Sequence, residues 1–310
     1  MNSHRRAKKL ILISLVSLFV IFESSCLLKN KTNEIKSHQT KKVNDTLKRS
    51  QLICLQKAKM LTIKYPNNLD LIKNLGHVYY RLKLYNNAIQ QYKTAIKLSP
   101  NDPDIYIHLG IVLYKEKQYS QAIQQFKESI ILDSKFKKYH WLPSAYYWLG
   151  RSYGAMKNYH YAYNAWKKMS MCKLSNEQKS IAYSDMGDVC FRLNNIREST
   201  YWYKKSLNKS PRKWFPALCI GLNMATDHQY SIAKKYFEIA SHNAKSNSEH
   251  LRSYFFLGKL AEDMNDPIKA LKYYKLSLKY NSHKDTEFYN QALDGINRIN
   301  AQHKFPFVPI

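Results

Sequence analysis

The chain has 310 residues, with 50 Lys plus Arg against 22 Asp plus Glu and a formal charge of +28. Hydrophobic residues make up 45% and aromatics 14%, ample for a buried core. With only 8 Gly and 9 Pro there is little room for the many tight turns of a β-rich fold, so an all-helical one is expected. The charge invites an acidic partner. The lysines are dispersed rather than gathered, however, no Arg-rich stripe occurs, and most of the 25 Tyr fall at repeat core positions, so nucleic acid is not the expected partner.

At the amino terminus, His4-Arg5-Arg6-Ala7-Lys8-Lys9 precedes an apolar run from Leu10 to Phe22 and then Glu23-Ser24-Ser25-Cys26. This order reads as an export signal. As a helix the run spans about 20 Å, short of the roughly 30 Å hydrocarbon core, which favours a cleaved signal over a spanning helix. The last four residues resemble a bacterial lipoprotein signal, in which small residues precede a cysteine that is lipidated and opens the mature chain. Cys26 takes that place. Glu23 stands where that pattern has an apolar residue, so an uncleaved anchor with its basic end inside, and cleavage elsewhere, remain open beside lipidation. Every option makes residues 1–28 an export signal or membrane anchor and places the rest outside the cytoplasm, with a membrane-anchored position in the cell envelope expected. Residues 29–46 are polar, basic and aperiodic, and read as a flexible tether. Cys54, Cys172, Cys190 and Cys219 show no CxxC-type spacing, so neither a metal nor a redox site is expected, and Cys190 reads as a small buried hydrophobe.

From there the chain is periodic. Gly76, Gly110, Gly150, Gly187, Gly221 and Gly258 are separated by 34, 40, 37, 34 and 37 residues, each followed by an alanine or serine 12 positions on and an aromatic 16 on. Counting Leu69 as position one puts Leu75-Gly76 at seven and eight, Tyr79 at eleven, Ala88 at twenty, Tyr92 at twenty-four, Ala95 at twenty-seven and Pro100 at thirty-two. These residues resemble the tetratricopeptide repeat consensus. Six such repeats start near 69, 103, 143, 180, 214 and 251 and cover 69–283, with Ser199 replacing the alanine in the fourth. The small residues are expected where the two helices of a hairpin cross, and the surplus residues at the joins between repeats. Residues 47–66 read as a degenerate repeat helix, and 284–310 as a capping helix from Thr286 to Ala301 followed by a Pro-containing tail. The expected fold is an all-α, right-handed superhelical solenoid of about six helix-turn-helix repeats with capping helices at both ends.

In this family the first helices of successive repeats line a concave groove through positions two, five, nine, twelve and thirteen. The resemblance therefore implies a partner surface of Lys73, His77, Tyr80 and Arg81, then Ile107, Ile111, Tyr114 and Lys115, then Tyr147 and Arg151. Cationic and aromatic side chains together suit a protein or peptide partner with acidic residues. Phe215, Leu218, Leu222, Phe255 and Lys259 form a more apolar stretch, either a second interface for self-association or packing within the superhelix. Chaperone-binding members clamp a peptide carboxylate at positions held here by Lys73, His77, His108, Ser144 and Trp148. Only the lysine agrees, which excludes that role. No phosphate loop, metal-spaced His set or nucleophile elbow occurs, and no cofactor or catalytic residue is expected. The resulting expectation is an exported, membrane-tethered scaffold for envelope or secretion-system assembly. The alternatives are a nucleic-acid or glycan binder driven by charge and a regulatory subunit of an envelope enzyme.

Overall fold

The computed structural model describes residues 49–136, 139–280 and 286–303. The export signal, Cys26, the tether over 29–46 and the segment Phe305-Pro306-Phe307-Val308-Pro309 lie outside them. All secondary structure among the described residues is helical. Helix α1 covers residues 49–64 and is followed by the pair α2 (Leu69–Arg81) and α3 (Tyr85–Leu98). Four further pairs are α4 (Pro103–Lys115) with α5 (Tyr119–Lys135), α6 (Leu142–Ala155) with α7 (Tyr159–Ser170), α8 (Asn176–Arg192) with α9 (Ile196–Lys209), and α10 (Trp214–Thr226) with α11 (Tyr230–Asn243). The sixth pair, α12 (Asn247–Asp263) and α13 (Pro267–Lys279), is followed by α14 (Thr286–His303). The chain divides into two compact units, Met1–Thr94 and Ala95–Ile310.

In the first unit, Ile72, Leu75, Gly76 and Tyr79 share the inner face of α2, a spacing of three and four residues that places them on one stripe. Leu55 and Ala58 of α1 are buried too, and the Lys59 ammonium lies 5.8 Å from the Tyr79 ring centroid. The Asn68 side chain starts α2 by accepting from Leu71 N–H. A Cβ on Gly76 would fall 2.9 Å from the Tyr92 ring, so only bare backbone admits the ring there.

The second unit repeats that contact five times, with Phe126, Trp166, Tyr203, Phe237 and Tyr274 laid on the glycine sixteen residues earlier. At Gly110 an added Cβ would come within 2.6 Å of Phe126 Cε1, well inside van der Waals contact. The small residues at the helix crossings, Ala122, Ala162, Ser199, Ala233 and Ala270, are all 0% exposed. Ser199 departs from alanine for a visible reason. Its hydroxyl, with that of Thr200, accepts from the buried Asn223 amide at 3.1 and 3.0 Å, which gives Asn223 Nδ2 the partners that burial demands.

Each hairpin turns through one residue in the left-handed region, seven positions after the glycine: Lys83, Lys117, Lys157, Asn194, His228 and Asn265, with φ between 56 and 61°. The hydrogen bonds are those of a helix C-terminus closed by a left-handed residue. At α4, Lys117 N–H donates to Tyr114 C=O at 3.0 Å and Gln118 N–H to Leu113 C=O at 2.9 Å.

The unequal glycine spacing has a structural account. Helices α5, α8 and α12 each run to 17 residues where the others of the six pairs have 12 to 14. The additional turn lies outside the hairpin contact and leaves it intact. Helices α8 and α12 begin four residues before the repeat starts expected at 180 and 251, behind the capping boxes Ser175/Gln178 and Ser246/Glu249. From the last turn of α5, Asp133 Oδ2 accepts from Trp141 and Leu142 N–H at 2.9 and 3.0 Å and so starts α6. Helix α14 buries Ala292, Ile296 and Ile299. Its Gly295 lies against the opposite side of the Tyr274 ring from Gly258, so one ring is sandwiched by two glycines. Arg298 then ties α14 to Glu262 of α12 by two hydrogen bonds of 2.9 and 3.0 Å.

The four described cysteines are free thiols, and burial pushes those of Cys190 and Cys219 up to about 12, far from reactivity at neutral pH. No described helix is long and apolar enough to cross a membrane. The left-handed turn residues carry an intrinsic strain that glycine avoids at some cost in chain entropy. Lys117→Gly is therefore expected to stabilise the protein by about 0.5–1 kcal/mol in denaturant unfolding, while Asn194→Gly changes it less because Asn tolerates this region. A loss of stability in Lys117→Gly contradicts this reading of the turns.

Candidate functional site

The expected surface residues divide between the two units. On α2, Lys73, His77 and Tyr80 are half-buried and Arg81 is exposed, all along one side of the helix. His77 is anchored to the hairpin contact, because its Nδ1 lies 3.1 Å from the Tyr92 hydroxyl and its ring meets that of Tyr92 edge-on at 5.8 Å. Tyr80 packs on Tyr85 at 6.1 Å, and burial raises its hydroxyl above the ordinary value.

In the second unit the expected surface needs one correction. Ile107 is 1% exposed and belongs to the core of α4, because its side of the helix is covered by packing. Ile111 and Tyr114 are half-buried and Lys115 is exposed on the same helix, while α6 contributes half-buried Tyr147 and exposed Arg151. Three of these residues converge on Trp148. Its ring centroid lies 5.4 Å from that of Tyr114 and 5.4 Å from that of Tyr147, both edge-on, and the Lys115 ammonium lies 6.0 Å from it. Edge-to-face packing holds the rings in place before any partner arrives.

Beside this ladder a pocket of about 360 Å³ opens between α6 and α8. Tyr114, Tyr159, Trp166 and Val189 supply aromatic and apolar wall, and Arg151, Lys157 and Arg192 supply positive charge. Two acids, Asp185 and Asp188, come from α8. Asp188 is matched, with Arg192 Nε at 2.9 Å from its Oδ2, and the same guanidinium lies 5.9 Å from the Tyr159 ring centroid. Asp185 is not matched in that way: its Oδ2 is fully buried and accepts no hydrogen bond. Burial pushes its carboxyl up to about 7, Arg151 pulls it down, and Asp188 adds to the rise. Burial also lowers the Arg151 guanidinium, which the Tyr114 and Tyr147 hydroxyls and Asp185 more than offset. Trp166 Nε1, in the same wall, is likewise buried without a partner.

The expected second interface is also corrected. Leu218 is 4% exposed, in a cluster with Tyr203, Ile220 and Phe237. Phe255 is 7% exposed, among Tyr274, Ala292 and Ile296, with Phe288 of α14 edge-on at 5.3 Å. Packing within the array is what holds both, and they offer no free face. Leu222 is partly buried against the first cluster, whereas Phe215 is 42% exposed and Lys259 is exposed, 3.6 Å from Asp263.

Trp148, Asp185, Asp188 and Arg192 were not among the expected groove residues. For Asp188 and Arg192 the signal lay in the register, whose positions nine and thirteen face the groove, whereas position six, held by Asp185 and Trp148, is not among those groove positions. Counted from Ser180, Asp185, Asp188 and Arg192 occupy positions six, nine and thirteen of the fourth repeat, and Trp148 occupies position six of the third. Among the described residues no group of three or more His, Cys, Asp or Glu side chains could hold a metal ion.

Two repeat-family models match, one described as TPR repeat over residues 76–117 and one as tetratricopeptide repeat over 251–284. The chain thus carries tetratricopeptide repeats in these two segments. Its all-helical repeat solenoid is shared with solved structures at low sequence identity. A TPR repeat-containing protein from Cytophaga hutchinsonii is similar at 18% identity and a TM-score of 0.62, over 80% of this chain and 95% of that one. The pilF protein of Pseudomonas aeruginosa is similar at 20% identity and a TM-score of 0.59, over 76% of this chain and 97% of that one. YrrB, described as a TPR protein with an unusual peptide-binding site, is similar at 16% identity and a TM-score of 0.50, over 66% and 97%. No curated protein matches the chain in sequence. Tetratricopeptide scaffolds bind peptides or proteins, and a protein partner is the coarse functional conclusion.

The buried Asp185 has a measurable consequence for folding. Its native carboxyl holds a proton up to about pH 7, whereas an unfolded Asp releases it near pH 4. The native state therefore binds the additional proton, and stability falls as pH rises through that window, with the full cost present above about pH 7. Asp185→Asn is expected to melt roughly 2–4 °C higher than wild type at about pH 8, with the gain fading toward about pH 4. A pH-independent difference, or a lower melting point at about pH 8, contradicts the assignment.

Proposed function

We propose that this protein is exported, held at a membrane by its amino terminus, and carries a segment of a protein partner along the first helices of its repeats. The observation that carries the reading is the aromatic ladder Tyr114, Trp148 and Tyr147 with Lys115 and Arg151 beside it. Rings already fixed edge to face lose little entropy on binding, and aromatic and Arg side chains concentrate interface energy. A peptide-binding site is described for YrrB, and a peptide partner here is consistent with that shared fold.

The export reading rests on the basic stretch, the apolar run and Cys26, which favour a lipid-tethered scaffold in the cell envelope serving envelope or secretion-system assembly. A discrete protein partner is favoured over a polyanion despite the charge of +28. A phosphate or sulfate chain crossing this face meets Asp185 and Asp188 between the cations, and like charge there is costly.

A photo-crosslinking residue at Tyr114 in living cells is expected to capture one discrete protein, and the same residue at Tyr161, 63% exposed on α7, is not. Equal capture at both positions, or none at Tyr114, contradicts the groove. In the same cells palmitate labelling disappears in Cys26→Ala, and an unlabelled wild type rules out the lipid tether.

A further inference from the structure

We infer that the pocket between α6 and α8 receives the side chain of a lysine or arginine in the bound segment, whose cationic head pairs with Asp185. This rests on the groove being a peptide site and names the chemistry that it selects. Asp185 lines the pocket, and its Oδ2 is fully buried without a hydrogen-bond donor, so the charged carboxylate is costly unless a cation in the pocket compensates it. The nearby guanidinium groups are otherwise engaged. Arg151 faces the Tyr114 and Tyr147 hydroxyls, and Arg192 is held by Asp188 at 2.9 Å and by the Tyr159 ring. Lys157 stands exposed in the turn.

The cavity also fits the shape of the ligand. A volume of about 360 Å³ is at the small end of ligand pockets and accommodates one long side chain rather than a folded element. Tyr114, Tyr159 and Trp166 contribute aromatic wall and Val189 an apolar patch, surfaces on which a methylene stem packs while its charged head is drawn to the carboxylate. The cations around the rim favour acidic neighbours on either side. The matching segment is therefore a basic residue set among acidic ones, rather than the uniformly acidic segment that net charge alone suggests. A peptide's free amino terminus presents the same ammonium chemistry, and the test separates the two.

Short random peptides displayed on phage are selected on the full-length protein at about pH 8, and winners are synthesised with acetylated amino termini. The expected winners share a lysine or arginine at one position. Its replacement by norleucine costs at least about thirtyfold in affinity on wild type and little on Asp185→Asn. Asp188→Asn keeps the dependence. Affinity for wild type drops about tenfold between about pH 8 and about pH 6, following the carboxyl of Asp185 among Arg151, Asp188, Arg192, Lys157, Tyr114 and Tyr147, a readout that needs no variant to fold. Winners without a shared cation overturn the inference and leave the peptide groove standing, as does a cation whose loss costs the same on Asp185→Asn or an affinity that ignores pH. Binding that only an unacetylated terminus supports overturns it in favour of a chain amine. Failure to select any peptide whose binding requires Tyr114 and Trp148 overturns the groove as well.

Discussion

An aromatic ring laid on the bare backbone of a glycine sixteen residues earlier closes every hairpin of this protein. The contact sets how closely two helices approach, because a ring fits only where there is no Cβ. It also fixes their phase. Once the ring is seated, the small residue twelve positions after the glycine must lie at the crossing, and the turn must reverse the chain through one left-handed residue seven positions after the glycine. Lysine, asparagine and histidine all occupy that turn position, so the local backbone yields to the packing.

Variation is confined to places that the contact does not touch. The three 17-residue helices add their turn beyond the crossing, and two of them restart behind a capping box that satisfies the newly exposed amides. The same contact also ends the array. Tyr274 is covered by Gly258 on one side and by Gly295 on the other, so α14 is seated by a ring that the last hairpin already presents. Its other side carries Glu287, Gln291 and Asp294, all exposed, which gives the last apolar layer a polar cover.

Much of this was legible in the sequence because the repeat is a register, and a register assigns inside and outside one residue at a time. Tyr114, Lys115, Tyr147 and Arg151 of the second unit were read from it and form one connected surface. What was not legible depends on neighbours distant in sequence. Ile107 occupies a position that faces a groove in the general pattern, but its burial is decided by what lies over α4. Phe255 looked like an exposed apolar residue until α14 covered it. The unmatched state of Asp185 is likewise a property of three helices at once, since it requires that Arg151 be engaged by two tyrosines and Arg192 by Asp188. A single helix shows only an aspartate at an ordinary position.

The site follows from the scaffold in a direct way. Rigid hairpins hold Trp148 between Tyr114 and Tyr147 and keep a buried acid within a pocket whose two guanidinium groups already have partners, an arrangement that a flexible surface would relax. All of it depends on the glycine and ring contact, which a double-mutant cycle on Gly110→Ala and Phe126→Leu measures directly in equilibrium unfolding. The account predicts that Gly110→Ala alone costs about 1–3 kcal/mol and that most of this cost vanishes once the ring is trimmed to leucine, a coupling of at least about 1 kcal/mol. An alanine that costs the same in both backgrounds contradicts it.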